Sequence, residues 1–124
     1  MDKFILISIG AVLGANARYW VGGWAAEHLG SEFPYGTLII NLIGSFLLGF
    51  FITTFTNRYM VNPYWRLFIA IGFLGSYTTF STYTYESVNL LIQGQLWLGI
   101  VNLFGGSFLG AIAVILGILL GRII

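Results

Sequence analysis

The residues of this chain with chemical capacity are few and unusually placed. Thr78, Thr79, Ser81, Thr82 and Thr84 crowd into one short run, with Phe80 and Tyr83 set among them and Glu86 just beyond. Asn41 stands alone in an apolar stretch, and Arg18 lies inside another. Hydroxyls and side-chain amides donate hydrogen bonds without carrying charge. Gathered in a dry setting with no Lys or Arg beside them, such donors suit a small anion that must bind and also leave. Phe80 and Tyr83, at i and i+3, share a helix face. Their electropositive ring edges offer an anion a weak further contact, although rings at this spacing equally fill a core. Arg18 has three roles open to it: pairing with a carboxylate, binding anions at a vestibule, or reaching the headgroups. Glu86 is open to an ion-relay role or to a structural one capping a helix break; for both residues a structural or vestibule role is the simpler reading.

Much other chemistry is excluded. There is no Cys, so thiolate catalysis, disulfides and cysteine-based metal clusters fall away. The single histidine, His28, sits beside Glu27 in a polar stretch and cannot form a His-rich metal site. The carboxylates Asp2, Glu27, Glu32 and Glu86 are scattered, which removes paired-carboxylate hydrolysis. A net charge of +1 without a basic run argues against nucleic acid as a partner. The chain is not expected to be an enzyme.

The elements that must position these residues follow from composition. Of 124 residues, 5 are Lys or Arg and 4 are Asp or Glu, so 7% are charged, against 58% hydrophobic. Mean hydropathy is +0.92. Soluble domains carry about 25% charge, so this surface faces lipid. A membrane helix needs ~20 mostly apolar residues, and the stretches 4–26, 35–56, 65–93 and 97–122 qualify, giving a single integral membrane domain over 1–124. The first stretch is too long for a signal-peptide core and carries Asn16 and Arg18, so it is expected to remain in the mature protein. Trp20, Trp24, Tyr35, Tyr59, Tyr64, Trp65 and Trp97 lie near the ends of the stretches, as interfacial aromatics do.

The third stretch is longer than one span requires, and from Gly72 to Glu86 it is rich in glycine and β-branched hydroxyl residues. These are poor helix formers, so a broken helix is expected at mid-membrane depth. Irregular backbone is tolerated there only where protein buries it or where it lines a polar cavity. Thr37, Asn41, Ser45, Gly49 and Thr53 recur every four residues on the second stretch. Gly106, Gly110, Ala113, Gly117 and Gly121 form a small-residue stripe on the fourth, with Asn102 and Ser107 near its start. Gly10, Gly14 and Gly22 do the same on the first. Small residues at such intervals let membrane helices approach closely.

These words resemble the Fluc (CrcB) family of fluoride channels. The matching segments are Gly10-Ala11-Val12-Leu13-Gly14-Ala15-Asn16-Ala17-Arg18-Tyr19, then Pro34-Tyr35-Gly36-Thr37-Leu38-Ile39-Ile40-Asn41-Leu42-Ile43-Gly44-Ser45-Phe46, and the run from Gly72 to Glu86. The resemblance implies an all-α membrane protein of four transmembrane helices with a broken third helix, assembled as an antiparallel, dual-topology homodimer. It implies passive, fluoride-selective efflux from the cytoplasm across the bacterial inner membrane. By the same resemblance, Asn41, Phe80, Ser81, Thr82 and Tyr83 line the fluoride pathway, with Asn102 and Ser107 as further pore-facing candidates. It further implies a structural Na+ held by the backbone carbonyls of Gly75 and Thr78. Two departures stand out: Tyr83 occupies the place of the family's second pathway phenylalanine, and Ser76 a place often held by glycine.

Charge placement gives a different topology. Lys3, Arg58, Arg66 and Arg122 fall on one expected side and Arg18 alone on the other, which by the positive-inside rule puts both termini in the cytoplasm. The resemblance instead implies both orientations. The alternative function is a small proton-coupled cation or drug exporter of four helices. Such exporters usually need a midspan carboxylate in the first helix, where this chain has Asn16 and Arg18.

Overall fold

The structure, a computed structural model, describes residues 2–124. Those residues form helices joined by short turns, with no strand among them. Helix α1 spans Lys3–Leu29, α2 spans Tyr35–Arg58, α3 covers 63–77, α4 is Phe80–Ile92 and α5 is Leu96–Ile123. Together α3 and α4 are one broken helix, so the fold is a bundle of four helices. Of these, α1, α2 and α5 are each long and apolar enough to cross a membrane, with mean hydropathies of 1.4, 2.1 and 2.4. Neither α3 nor α4 alone spans a hydrocarbon core of ~30 Å at ~1.5 Å per residue; only the two in series do.

Local chemistry fixes the ends. Asp2 accepts a 2.8 Å hydrogen bond from the Phe4 amide and caps α1, which stops at Gly30 with φ +84°. Pro63 starts α3, where its missing N–H costs nothing, and the Asn62 side chain accepts from the Tyr64 amide at 3.0 Å. Thr79, in extended conformation, caps α4 through a 3.2 Å bond from the Thr82 amide to its Oγ1. The expected break therefore falls at Thr78 and Thr79, between a helix end and a helix start. Stretches 52–58, 66–74 and 101–105 are wound more widely than an α-helix, with hydrogen bonds stepping to i−5.

The helices pack chiefly as α2 against α5 and α1 against α3, and α4 lies along the start of α5. Small residues make these approaches possible. A Cβ on Gly117 would overlap the Phe46 carbonyl oxygen, and one on Gly14 would overlap that of Phe73. A Cβ on Gly49 would come within 2.6 Å of the Val114 carbonyl oxygen. The glycine stripes thus set the backbone-to-backbone contact of α2 with α5 and of α1 with α3. By contrast, a Cβ on Gly23 meets nothing within 4 Å. Gly117→Ala should lower thermal stability in detergent by about 1–3 kcal/mol through overpacking, and Gly23→Ala should stay within about 0.5 kcal/mol of wild type. Equal effects from the two substitutions would contradict this packing.

Candidate functional site

The site grows from the broken helix. At its centre Asn41 of α2 reaches across to the unwound backbone. Its Nδ2 donates to the Thr79 carbonyl at 3.0 Å, and its Oδ1 accepts from the Thr79 amide at 2.9 Å. This pairing fixes the orientation of the amide, since turning it over would set Nδ2 against the Thr79 N–H. It also satisfies both polar groups of a residue that has left the helix. One of the two Nδ2 protons remains for another acceptor.

A cavity of about 410 Å³ opens beside this pair. Asn41, Ser45, Phe80, Tyr83 and Ser107 line it, together with Gly75, Thr78 and Thr79 of the break. No Lys, Arg, Asp or Glu lines it among the described residues. Phe80 is 76% exposed, whereas Tyr83 is 8% exposed, with ring centroids 6.1 Å apart and planes tilted by 57°. The Tyr83 hydroxyl donates to the Leu103 carbonyl and lies 2.8 Å from Ser107 Oγ. Gly106 makes room for that ring, because a Cβ there would come within 2.8 Å of Tyr83 Cε1.

A second cavity, of about 580 Å³, lies on the other side of Thr79. Arg18, Thr37, Thr82, Glu86, Asn89 and Gln93 are among its lining residues, and Thr79 belongs to both cavities. Thr37 Oγ1 donates to Glu86 Oε1 at 2.6 Å, tying α2 to α4 at this rim. Arg18 and Glu86 thus line one cavity, charged and larger than the first.

The structure brings Asn41, Phe80, Tyr83 and Ser107 into one cavity and Thr82, Arg18 and Glu86 into the other. It brings Ser81 and Asn102 into neither. Ser81 is exposed on α4. Asn102 is 2% exposed and donates to Ser87 Oγ at 2.7 Å, and Ser87 donates to the Tyr83 carbonyl at 2.8 Å. In the sequence Thr79 stands out only as one member of the hydroxyl run, and Ser87 does not stand out. The signal for Thr79 is its place between the last turn of one helix and the first turn of the next. Ser87 stands at i+4 from Tyr83, the spacing of a serine that bonds back along its own helix.

The break also leaves backbone oxygens open. The C-terminal end of α3 leaves carbonyl oxygens without intrahelical partners. Among the described residues, no backbone N–H reaches the carbonyls of Gly75, Ser76, Tyr77 or Thr78. Carbonyl oxygens in such a position fit a small alkali or alkaline-earth ion. No group of three or more His, Cys, Asp or Glu able to hold a metal occurs among the described residues. Were such an ion bound here, backbone oxygens would hold it, those of Gly75 and Thr78 among them.

Comparison with known proteins covers almost the whole chain. Residues 5–118 match the family described as CrcB-like protein, Camphor Resistance (CrcB). A protein of Sulfurihydrogenibium sp. (strain YO3AOP1) named "Fluoride-specific ion channel FluC" is 43% identical, with 100% of both chains covered. Proteins of the same name from Solibacter usitatus (strain Ellin6076) and Chloroflexus aurantiacus (strain ATCC 29366 / DSM 635 / J-10-fl) are 41% and 45% identical, covering 97% and 98% of this chain and 98% and 97% of theirs. The matched span contains Asn41, the break and the lining residues of both cavities. The chain belongs to the CrcB family.

Proposed function

We propose that this protein is a fluoride-selective channel giving passive efflux of fluoride from the cytoplasm. The observation that carries the reading is the inner cavity. It gathers the Asn41 amide and the Thr78, Thr79 and Ser107 hydroxyls beside Phe80, and no ionised side chain lines it. The names of the full-length relatives support the same conclusion.

The chemistry follows from what fluoride loses and gains. A small, strongly hydrated anion sheds water only where other donors replace it. The free Nδ2 proton of Asn41 is one such donor. The Thr79 hydroxyl is another, because its oxygen accepts from the Thr82 amide while its proton stays free. The Phe80 ring edge adds a weak electropositive contact. No Lys or Arg lines this cavity among the described residues, so no cationic side chain traps the ion. Arg18 in the vestibule raises the local anion concentration before the ion reaches the neutral stretch.

The protein acts as an antiparallel, dual-topology homodimer in the bacterial inner membrane. Support comes from the exposed side of one protomer, where Phe80, Ser81 and Ser107 lie uncovered. Hydroxyls and open carbonyls facing hydrocarbon are costly, and a second copy covers them. A structural Na+ at the Gly75 and Thr78 carbonyls satisfies oxygens that the end of α3 leaves bare. Thr82 and Tyr83 belong to the pathway, Ser81 joins it only through the uncovered face that a second copy closes, and Asn102 supports it through Ser87.

Protein reconstituted in liposomes with Na+ present should release fluoride down its gradient without a proton gradient, and pass chloride at least about 100-fold more slowly. Replacing Na+ by a large organic cation should reduce the flux. Equal chloride and fluoride release, or transport that needs a proton gradient, would contradict the channel and favour the proton-coupled exporter. The chain has no Cys, so Ser31→Cys supplies a unique label between α1 and α2. A membrane-impermeant thiol reagent should modify about half of it from each side, and labelling from one side alone would contradict dual topology.

A further inference from the structure

We infer that Tyr83 is a positioning residue that frees the Ser107 hydroxyl to bind the anion in the inner cavity, an inference that rests on the channel reading above. A helical serine ordinarily turns its one proton back to the carbonyl four residues earlier. Ser107 Oγ does lie 3.0 Å from the Leu103 carbonyl. The Tyr83 hydroxyl reaches the same carbonyl, and the two hydroxyl oxygens are 2.8 Å apart. Three oxygens therefore share two protons.

The partition of those protons follows from their surroundings. The Tyr83 ring is 8% exposed and held against Gly106, so its hydroxyl has few directions open to it. A phenol is also a stronger hydrogen-bond donor than an aliphatic alcohol, being far more acidic. Tyr83 thus takes the Leu103 carbonyl, and Ser107 is relieved of its usual partner. Ser107 is exposed on α5 and lines the inner cavity. In the empty cavity its proton goes to the Tyr83 oxygen. When an anion arrives, the proton turns to a charged acceptor, a stronger partner than a neutral hydroxyl. The Leu103 carbonyl stays satisfied throughout.

The backbone beneath Tyr83 is fastened to α5 as well. Ser87 donates to the Tyr83 carbonyl at 2.8 Å, and Asn102 donates to Ser87 at 2.7 Å. Two layers of hydrogen bonds, one buried and one at the cavity wall, hold the ring where it can occupy the Leu103 carbonyl. With phenylalanine at this position, the Ser107 proton would return to Leu103.

Fluoride efflux from liposomes over a range of fluoride concentrations tests this, comparing wild type, S107A, Y83F, the double variant and S107T. S107A should raise the half-saturating fluoride concentration roughly tenfold in the wild-type background, as expected for a lost hydrogen bond to a charged group, and less than about twofold in the Y83F background. Y83F alone should reproduce most of the S107A shift. S107T, which restores a hydroxyl, should recover most of the shift that S107A causes in the wild-type background and none of it in the Y83F background. Equal S107A shifts in both backgrounds, or an unchanged half-saturation in Y83F, would overturn the inference while leaving the channel reading intact. Absence of fluoride efflux from wild type would overturn the channel reading itself, and the inference with it.

Discussion

The pairing of Asn41 with the backbone of Thr79 is the contact on which the rest of the site depends. A helix broken inside a membrane exposes N–H and C=O groups with no water to receive them. One side-chain amide answers both groups of Thr79, with bonds of 3.0 and 2.9 Å. Were it lost, two half-buried polar groups would be stranded at about 1–3 kcal/mol each. The pairing also joins α2 to the start of α4, so the cavity wall and the helix break are held by one group. Everything nearby takes its position from there: Thr79 caps α4, Phe80 opens its first turn, and Tyr83 comes one turn later against α5.

Scarcity of charge shapes the remainder. Among the described residues, ionised groups are confined to the larger cavity and the span ends, while the smaller cavity is lined by amide, hydroxyl and ring edge. Helices without charged interfaces need another means of holding together. Here it is close backbone contact at Gly14, Gly49 and Gly117, where no side chain beyond hydrogen fits. The same glycines leave room for polar side chains in the grooves between helices. Packing and permeation thus draw on one property of the sequence, its small and uncharged residues. The unpaired carbonyls at the end of α3 extend that property, placing negative dipole ends at the break without any carboxylate beside them.

Much of this architecture is legible in the sequence, because it comes from short-range patterns. The long apolar stretches set the helices. The glycine- and threonine-rich run marks the break, which the structure places at Thr78 and Thr79. The four-residue spacing of Thr37, Asn41 and Ser45 puts them on one face of α2, and all three line one cavity or the other. The pairings themselves are not legible, since they join residues far apart in the chain. Asn41 and Thr79 are 38 positions apart, and Tyr83 and Ser107 are 24 apart. Nothing local tells that Asn102, equally polar, turns inward to Ser87, or that Ser81 lies outside both cavities. The identity of the anion is likewise absent from residue type; it comes from the family words and the full-length relatives.

The most direct test of the account is amide hydrogen exchange at Thr79, measured alongside fluoride flux in wild type and in Asn41→Leu. In wild type the Thr79 amide should be protected. In the variant, that protection should fall at least about tenfold, with fluoride flux falling too, while amides in the middle of α1 and α5 remain protected. A Thr79 amide equally protected in both proteins, or flux unchanged once that protection is lost, would contradict it.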